Sequence, residues 1–202
     1  MSALEKTYIT PEQYLERERQ AESKSEYYGG EIFAMAGASE AHNLIAGNIF
    51  ALLWVQMRGR PCKTYASDMR VQVPKTTLYT YPDVTVVCGP VQFNDIYQDS
   101  VQNPNVIFEV LSHSTEDYDR GEKFALYRNC PALTDYLLVS QELMRVEHYK
   151  RLDDGTWLMT EALGPEASVN LDSIGSELRL ADVYERVEVS TERNVLRIRR
   201  KA

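Results

Sequence analysis

The sequence predicts a mixed α/β fold whose core runs α-β-β-β-α-β and is extended by a hairpin. Three observations carry this. A capped stretch of helical periodicity spans residues 39–59, and three strand-like runs follow it at 67–73, 84–88 and 106–111. A second helical pattern, 114–129, then leads into a strand at 136–139. Hydrophobic residues make up 44% of the 202, enough to build a real core.

The elements follow in order. Thr10 is placed to cap, Pro11 suits the first helical position and Gln13 completes a capping box, so a helix is expected to about Ala21. The pair Gly29-Gly30 forms a tight turn between two short strands, one ending at Tyr28 and the other starting at Glu31. Ser39 caps the long helix, in which Leu44, Ile45, Ile49, Leu52 and Leu53 recur at helical spacing up to about Gly59. Residues 67–73 alternate apolar and polar, as a half-buried strand does. Pro82 opens the more continuous apolar run 84–88, and 106–111 is a second central strand with one carboxylate, Glu109, inside it. The polar stretch 94–105 between them is expected to be a mobile loop. Ser114 and Asp117 are candidate caps for the second helix. Residues 145–150 and 156–161 form a hairpin about Asp153-Asp154-Gly155, and a short helix at 181–186 closes the chain. With no repeat, low-complexity tract or linker, one domain is expected over 1–202, with its core at about 39–140 and the hairpin and short helix at about 141–190.

Composition excludes some functions. Lys and Arg number 22 against 30 Asp and Glu, a net charge of −8. This argues against broad non-specific nucleic-acid binding, which depends on phosphate neutralisation, but leaves a local site open. The one basic cluster, with Arg193, Arg197, Arg199, Arg200 and Lys201, reads as a solvated terminus rather than a phosphate-binding strip. No stretch reaches the ~20 apolar residues of a membrane span, and no signal-peptide pattern follows Met1. Cys62, Cys88 and Cys130 lie far apart, without zinc-ligand spacing, and are expected to be reduced residues of a cytoplasmic protein.

The chemistry centres on three residues. Asp83 stands at the mouth of one central strand. Glu109 lies inside another, flanked on its own face by Ile107 and Leu111. A carboxylate among apolar side chains is costly unless a cation, a hydrogen-bond network or a raised pKa compensates. Two of them on adjacent strands would make a hard oxygen site for a divalent cation; singly, each reads equally well as a strand-entry or ion-paired acid. On the following helix Asp119 and Lys123 fall on the arc of Phe124, Leu126 and Tyr127, opposite Tyr118, Gly121, Glu122, Ala125 and Arg128. A Lys on that arc needs a carboxylate partner, and an i,i+4 pair with Asp119 is the plain alternative to a role in a site. Glu31 shares a strand face with Phe33 and Met35, the face expected to meet the core. His42 lies in the first turn of the long helix. Glu31, His42, Asp119 and Tyr127 are additional candidates. Glu31 reads equally well as a metal or water ligand and as a turn-adjacent acid. His42 reads first as a helix-start or packing histidine and only then as a phosphate contact or proton-transfer group. Asp119 and Tyr127 are candidates only for supporting the site residues. His113 and His148 carry no motif context.

Three segments taken in order resemble the Uma family of restriction-endonuclease-like proteins. They are Tyr81-Pro82-Asp83-Val84-Thr85-Val86-Val87-Cys88, then Val106-Ile107-Phe108-Glu109-Val110-Leu111-Ser112-His113-Ser114-Thr115, then Asp119-Arg120-Gly121-Glu122-Lys123-Phe124-Ala125-Leu126-Tyr127. Gly29-Gly30-Glu31-Ile32-Phe33-Ala34-Met35 with His42 is similar to the same family's N-terminal segment, so the likeness covers roughly 10–185. The family resembles the PD-(D/E)XK nuclease superfamily, which implies a restriction-endonuclease-like α-β-β-β-α-β core. It also implies that Asp83 and Glu109 bind magnesium, with manganese as the alternative, and that a Lys orients or activates the attacking water. Two positions after Glu109 the residue is Leu111, not Lys; the resemblance implies that Lys123 takes the part. The function so implied is a metal-dependent endonuclease acting on nucleic acid, with DNA the expected substrate and a homodimer the expected assembly. Two rivals remain: a nucleic-acid-binding or regulatory module with weak or lost catalysis, and an interaction domain whose acids and Lys form a buried ion network.

Overall fold

The computed structural model describes residues 8–189, so the basic cluster at 193–201 lies outside the described residues. Helix α1 (Pro11–Glu18) starts with the expected capping box, Thr10 accepting from Gln13 N and Gln13 accepting from Thr10 N. It ends before Ala21, because the Glu18 carboxylate accepts both the backbone N–H and the hydroxyl of Ser25 and turns the chain into a strand. That strand, β1 (Ser25–Tyr28), forms a hairpin with β2 (Glu31–Ala34). The turn needs Gly29 and Gly30, whose φ values are 60° and 92°. Helix α2 (Glu40–Gln56) has Ser39 as its cap and buries Ile45, Ile49 and Leu53.

Six short strands follow: β3 (Cys62–Ala66), β4 (Arg70–Gln72), β5 (Tyr79–Thr80), β6 (Val84–Cys88), β7 (Ser100–Val101) and β8 (Val106–Leu111). They are shared between two sheets. The first core strand is β3, not the run 67–73, which is a turn followed by β4 of the second sheet. Alternation marks a half-buried strand but not the sheet it joins, and β3 pairs only with β6, so little apolar pattern marks it. The stretch 94–105 is no free loop. It contains β7, which pairs parallel with β4, and Asp99 meets both Arg19 at 2.7 Å and the buried Arg70 at 3.0 Å.

Residues 116–127 form one helix in three pieces, Glu116–Tyr118, a π-helical turn Asp119–Lys123 and Phe124–Tyr127. This is the site helix. Its N-cap is Thr115, with no side-chain capping bond; neither Ser114 nor Asp117 caps it, and the Ser114 hydroxyl meets that of Ser112 instead. Strand β9 (Asp135–Ser140) then runs parallel to β8, and β10 (Arg145–Arg151) and β11 (Trp157–Leu163) make the expected hairpin. A second small hairpin, β12 (Ser168–Leu171) with β13 (Ser176–Arg179), precedes a short helix, Leu180–Val183.

The main sheet has the order β11-β10-β9-β8-β6-β3, and the second sheet β2-β1-β5-β4-β7. One face of the main sheet carries Val84, Val86, Phe108, Val110, Leu137 and Val139 and packs on α2 and the C-terminal pieces. The other carries Ile107, Leu111, Tyr136 and Leu138 and packs on Tyr127 of the site helix and on Val71, Val73 and Leu78 beside β4 and β5. Glu109 belongs to this second face.

The cysteine expectation is corrected. Cys62 and Cys88 are direct partners in the β3–β6 register, and their sulfurs are bonded at 2.02 Å. A separation of 26 residues hides a contact that strand pairing creates. The argument for a reducing compartment falls with it. Cys130 remains free and buried, its thiol pushed up to about 12 by burial. Among the described residues no helix is long and apolar enough to cross a membrane.

Candidate active site

The β6–β8 register pairs Val84 with Phe108. Continued by one residue, it sets Asp83 opposite Glu109, and directly opposed residues share a sheet face. The position of Asp83 is held by the backbone: its Oδ2 accepts the Val110 N–H at 2.7 Å. The same oxygen lies 3.3 Å from His42 Nε2 on the first turn of α2. Both side chains keep some access to solvent, 15% for Asp83 and 17% for His42.

Glu109 is buried. Its Oε1 accepts from Tyr127 OH at 2.9 Å and lies 2.9 Å from Lys123 Nζ in an ion pair, the two partners being one helical turn apart. Lys123 Nζ also lies 3.2 Å from Glu26 Oε1 and 3.5 Å from Asp119 Oδ1. The i,i+4 pair with Asp119 therefore exists, but inside the protein, where Lys123 and Asp119 are 5% and 4% exposed. Tyr136 on β9 donates its hydroxyl to the Asp119 carbonyl at 2.9 Å and ties the π turn to the main sheet. Such a turn takes one residue more than an α turn, and the extra surface falls on the outer side, where Gly121 and Glu122 are exposed.

Three carboxylates, Glu26, Glu109 and Asp119, thus surround one ammonium, and Asp83 lies beside Glu109 on the neighbouring strand. Burial pushes the Glu109 carboxyl well above the ordinary carboxylate range; Lys123 opposes this, and Asp119, Asp83 and Glu26 reinforce it. Burial raises Asp119 too, again opposed by Lys123. Burial acts to lower Lys123, but Glu109 and Glu26 outweigh it and hold the amine charged. The Tyr127 phenol is raised by burial and then by Glu109, so it stays a donor.

Among the described residues no three or more of His, Cys, Asp and Glu are grouped to hold a metal ion. Asp83 and Glu109 offer two facing carboxylates, the oxygen donors that a hard cation keeping several of its waters would take.

The residues singled out in the sequence fare differently. Asp83, Glu109, Lys123, Asp119, Tyr127 and His42 come together. Glu31 does not share the apolar face on which Tyr27 pairs with Ile32; it lies on the face of Glu26 and Tyr28, which at Glu26 turns toward Lys123 and at Phe33 opens to solvent. Alternation separates two faces without saying which is inside. Glu26 and its partner Thr80, whose hydroxyl donates to Glu26 Oε1, were missed. A carboxylate alternating with Tyr27 in a short strand was the available signal for Glu26; Thr80 had none. His148 proves to be a buried partner of Asp135, at 2.7 Å, and Ser173 donates to the other oxygen of Asp135. Ser173 and His148 both bond the acid rather than each other, so this is no nucleophile–base pair.

Residues 11–182 match the Uma2 family model, described as "Putative restriction endonuclease". Among curated proteins the chain is 42% identical over 161 residues to "Uncharacterized protein sll1609" of Synechocystis sp., covering 80% of this chain and 91% of that protein. It is 39% identical over 183 residues to "Uncharacterized protein slr1290" of the same organism, covering 87% and 91%. Among solved structures it is similar to "a putative nuclease belonging to DUF820" from Anabaena variabilis, with a TM-score of 0.71, 18% identity, and coverage of 87% of this chain and 97% of that one. That likeness speaks to the mixed α/β fold.

Proposed function

The chain belongs to the Uma2 family of restriction-endonuclease-like proteins, and from that premise we propose that it hydrolyses phosphodiester bonds of nucleic acid, DNA in the first place, with magnesium or manganese as cofactor. The observation that carries the reading is the contact between the Lys123 ammonium and Glu109 at 2.9 Å, beside Asp83 on the adjoining strand. Asp83 and Glu109 would hold the cation. A divalent cation so held supplies Lewis acidity toward a phosphoryl oxygen and acidifies a water. The chain's own residues do the rest. The Val110 N–H and His42 aim Asp83, and Tyr127 fixes the rotamer of Glu109. Lys123, charged and dry, stands ready to stabilise negative charge on the reacting phosphate or to orient the attacking water. Cutting both strands of a duplex calls for two such sites, hence a homodimer.

One observation favours the rival reading, a nucleic-acid-binding module without turnover: Lys123 is engaged by three carboxylates at once. Thermal melting under a magnesium or manganese titration, followed by a cleavage assay on duplex DNA, separates the two. Saturation at about 100 times Kd should stabilise the wild type by about 2.7 kcal/mol, and Asp83→Ala should remove most of that. Metal-dependent stabilisation that survives in both Asp83→Ala and Glu109→Gln would sink the metal site. Metal binding without cleavage would favour the binding module.

A further inference from the structure

Lys123 is held from two sheets. Glu109 on β8 of the main sheet reaches its ammonium at 2.9 Å, and Glu26 on β1 of the second sheet reaches it at 3.2 Å. The Glu26 side chain is itself fixed, because the hydroxyl of the fully buried Thr80 on β5 donates to the same Oε1. A run of contacts thus leads from Thr80 through Glu26 and Lys123 to Glu109 and Tyr127, with hydrogen bonds at its two ends and ion pairs at Lys123.

We infer that Glu26 is a positioning residue, the anchor that keeps the Lys123 ammonium at the site when Glu109 turns its charge toward a cation. Lys is a compact charge on a flexible four-carbon stem, so its reach is set by its partners rather than by its own shape. Were Glu109 the sole anchor, a cation arriving at Glu109 would both compete for the carboxylate and repel the ammonium. Asp119 cannot replace it as a fixed point, since it lies on the same helix as Lys123 and moves with it. Glu26 belongs to another element and ties the ammonium to the second sheet. The hairpin β1–β2 thereby gains a part in the chemistry. The inference rests on the phosphodiesterase reading for what the ammonium does, but not for where it is held.

The test uses the full chain with two readouts. Glu26→Gln keeps the shape, and an oxygen for Thr80, but removes the charge. Losing an outer partner of this kind should lower kcat for magnesium-dependent DNA cleavage by about 10- to 100-fold with KM unchanged, and Glu26→Asp should recover part of the loss. The second readout is the ¹⁵Nζ resonance of Lys123, assigned by its disappearance in Lys123→Met. It should be sharp in the wild type, and shifted and exchange-broadened in Glu26→Gln, in chelator and in magnesium alike. A resonance unchanged by Glu26→Gln, or a kcat within twofold of an active wild type, overturns the inference. A wild type that cleaves no nucleic acid overturns the phosphodiesterase reading instead, and the resonance then decides on Glu26 alone. Should Glu26→Gln not fold, Thr80→Val, which removes only the hydroxyl that orients Glu26, is read in the same way.

Discussion

Lys123 occupies a position that apolar packing alone would give to Leu or Met. Replacing it by Met keeps the stem but leaves Glu26, Glu109 and Asp119 facing one another without a cation. Removing one partner of a buried pair costs about 3–5 kcal/mol, which urea unfolding in chelator should detect. Cleavage should be lost, while the metal-dependent rise in melting temperature persists, because Lys is not a ligand. Glu109→Gln tests the other partner. The Glu109 carboxyl is pushed up in the folded state by burial, against the pull of Lys123, so its pKa in the native protein lies above that in the unfolded chain. A raised pKa of this kind supports folding below the ordinary carboxylate value and is lost as pH rises through the folded value. In chelator, wild-type stability should therefore fall as pH climbs above the ordinary carboxylate range, and Glu109→Gln should flatten that fall. Parallel melting curves across this range for both proteins would show that Glu109 is not the group responsible. At this scale the sequence was partly legible. An arc of Phe124, Leu126 and Tyr127 that includes Lys123 announces a buried charge, whereas nothing local to Glu26 says that its partner lies 97 residues further on.

The site helix shows what an element can hide. Its periodicity marks a single helix, and the buried positions 119, 123 and 127 agree with that. The π turn Asp119–Lys123 lies below the resolution of such a pattern, because one extra residue barely disturbs the spacing. Packing then sets which end is held. Phe124 stacks on Tyr136 at 5.0 Å between centroids, and Tyr127 is fully buried, so the C-terminal piece is clamped to the main sheet. Deleting Gly121 should restore α geometry and rotate the N-terminal piece by about 100°. Asp119 would leave Lys123 and the hydroxyl of Tyr136, at a cost of about 1–3 kcal/mol for the buried groups left unpaired. Lys123 should keep Glu109, so the deletion should destabilise less than Lys123→Met in the same urea titration. An equal or larger loss would mean that the π turn, rather than the clamp at Phe124 and Tyr127, places the ammonium. The strands teach the same lesson: residues 67–73 have the better alternation, yet the core strand is β3, whose side chains answer to a single neighbouring strand.

At the scale of the whole molecule, two sheets meet over one charge cluster, and the disulfide staples the edge of the larger sheet. Cys62–Cys88 closes a span of 26 residues that includes β4 and β5 of the second sheet. Constraining a loop of this size in the unfolded chain is worth about 2–4 kcal/mol. Cys62→Ser with Cys88→Ser should lower stability by that order, and reductant should do the same to the wild type but nothing to the double variant. Thiol titration of the unfolded, unreduced wild type should find Cys130 as its one reactive cysteine; three reactive thiols would rule the bond out.

Local pattern alone was enough for the helix starts at Thr10 and Ser39, the Gly29-Gly30 hairpin, the central strands and the acids within them. Capping, periodicity and turn chemistry act over a few residues and leave their mark in order along the chain. The convergence of Glu26, Asp83, Glu109, Asp119 and Lys123 came from the pairing of β6 with β8, the packing of the site helix on β8 and β9, and the arrival of β1 from a second sheet. So did the meeting of Cys62 with Cys88 and the outward turn of Phe33. These contacts join residues distant in sequence, and strand register and the choice of buried face are settled by the sum of packing over the folded chain.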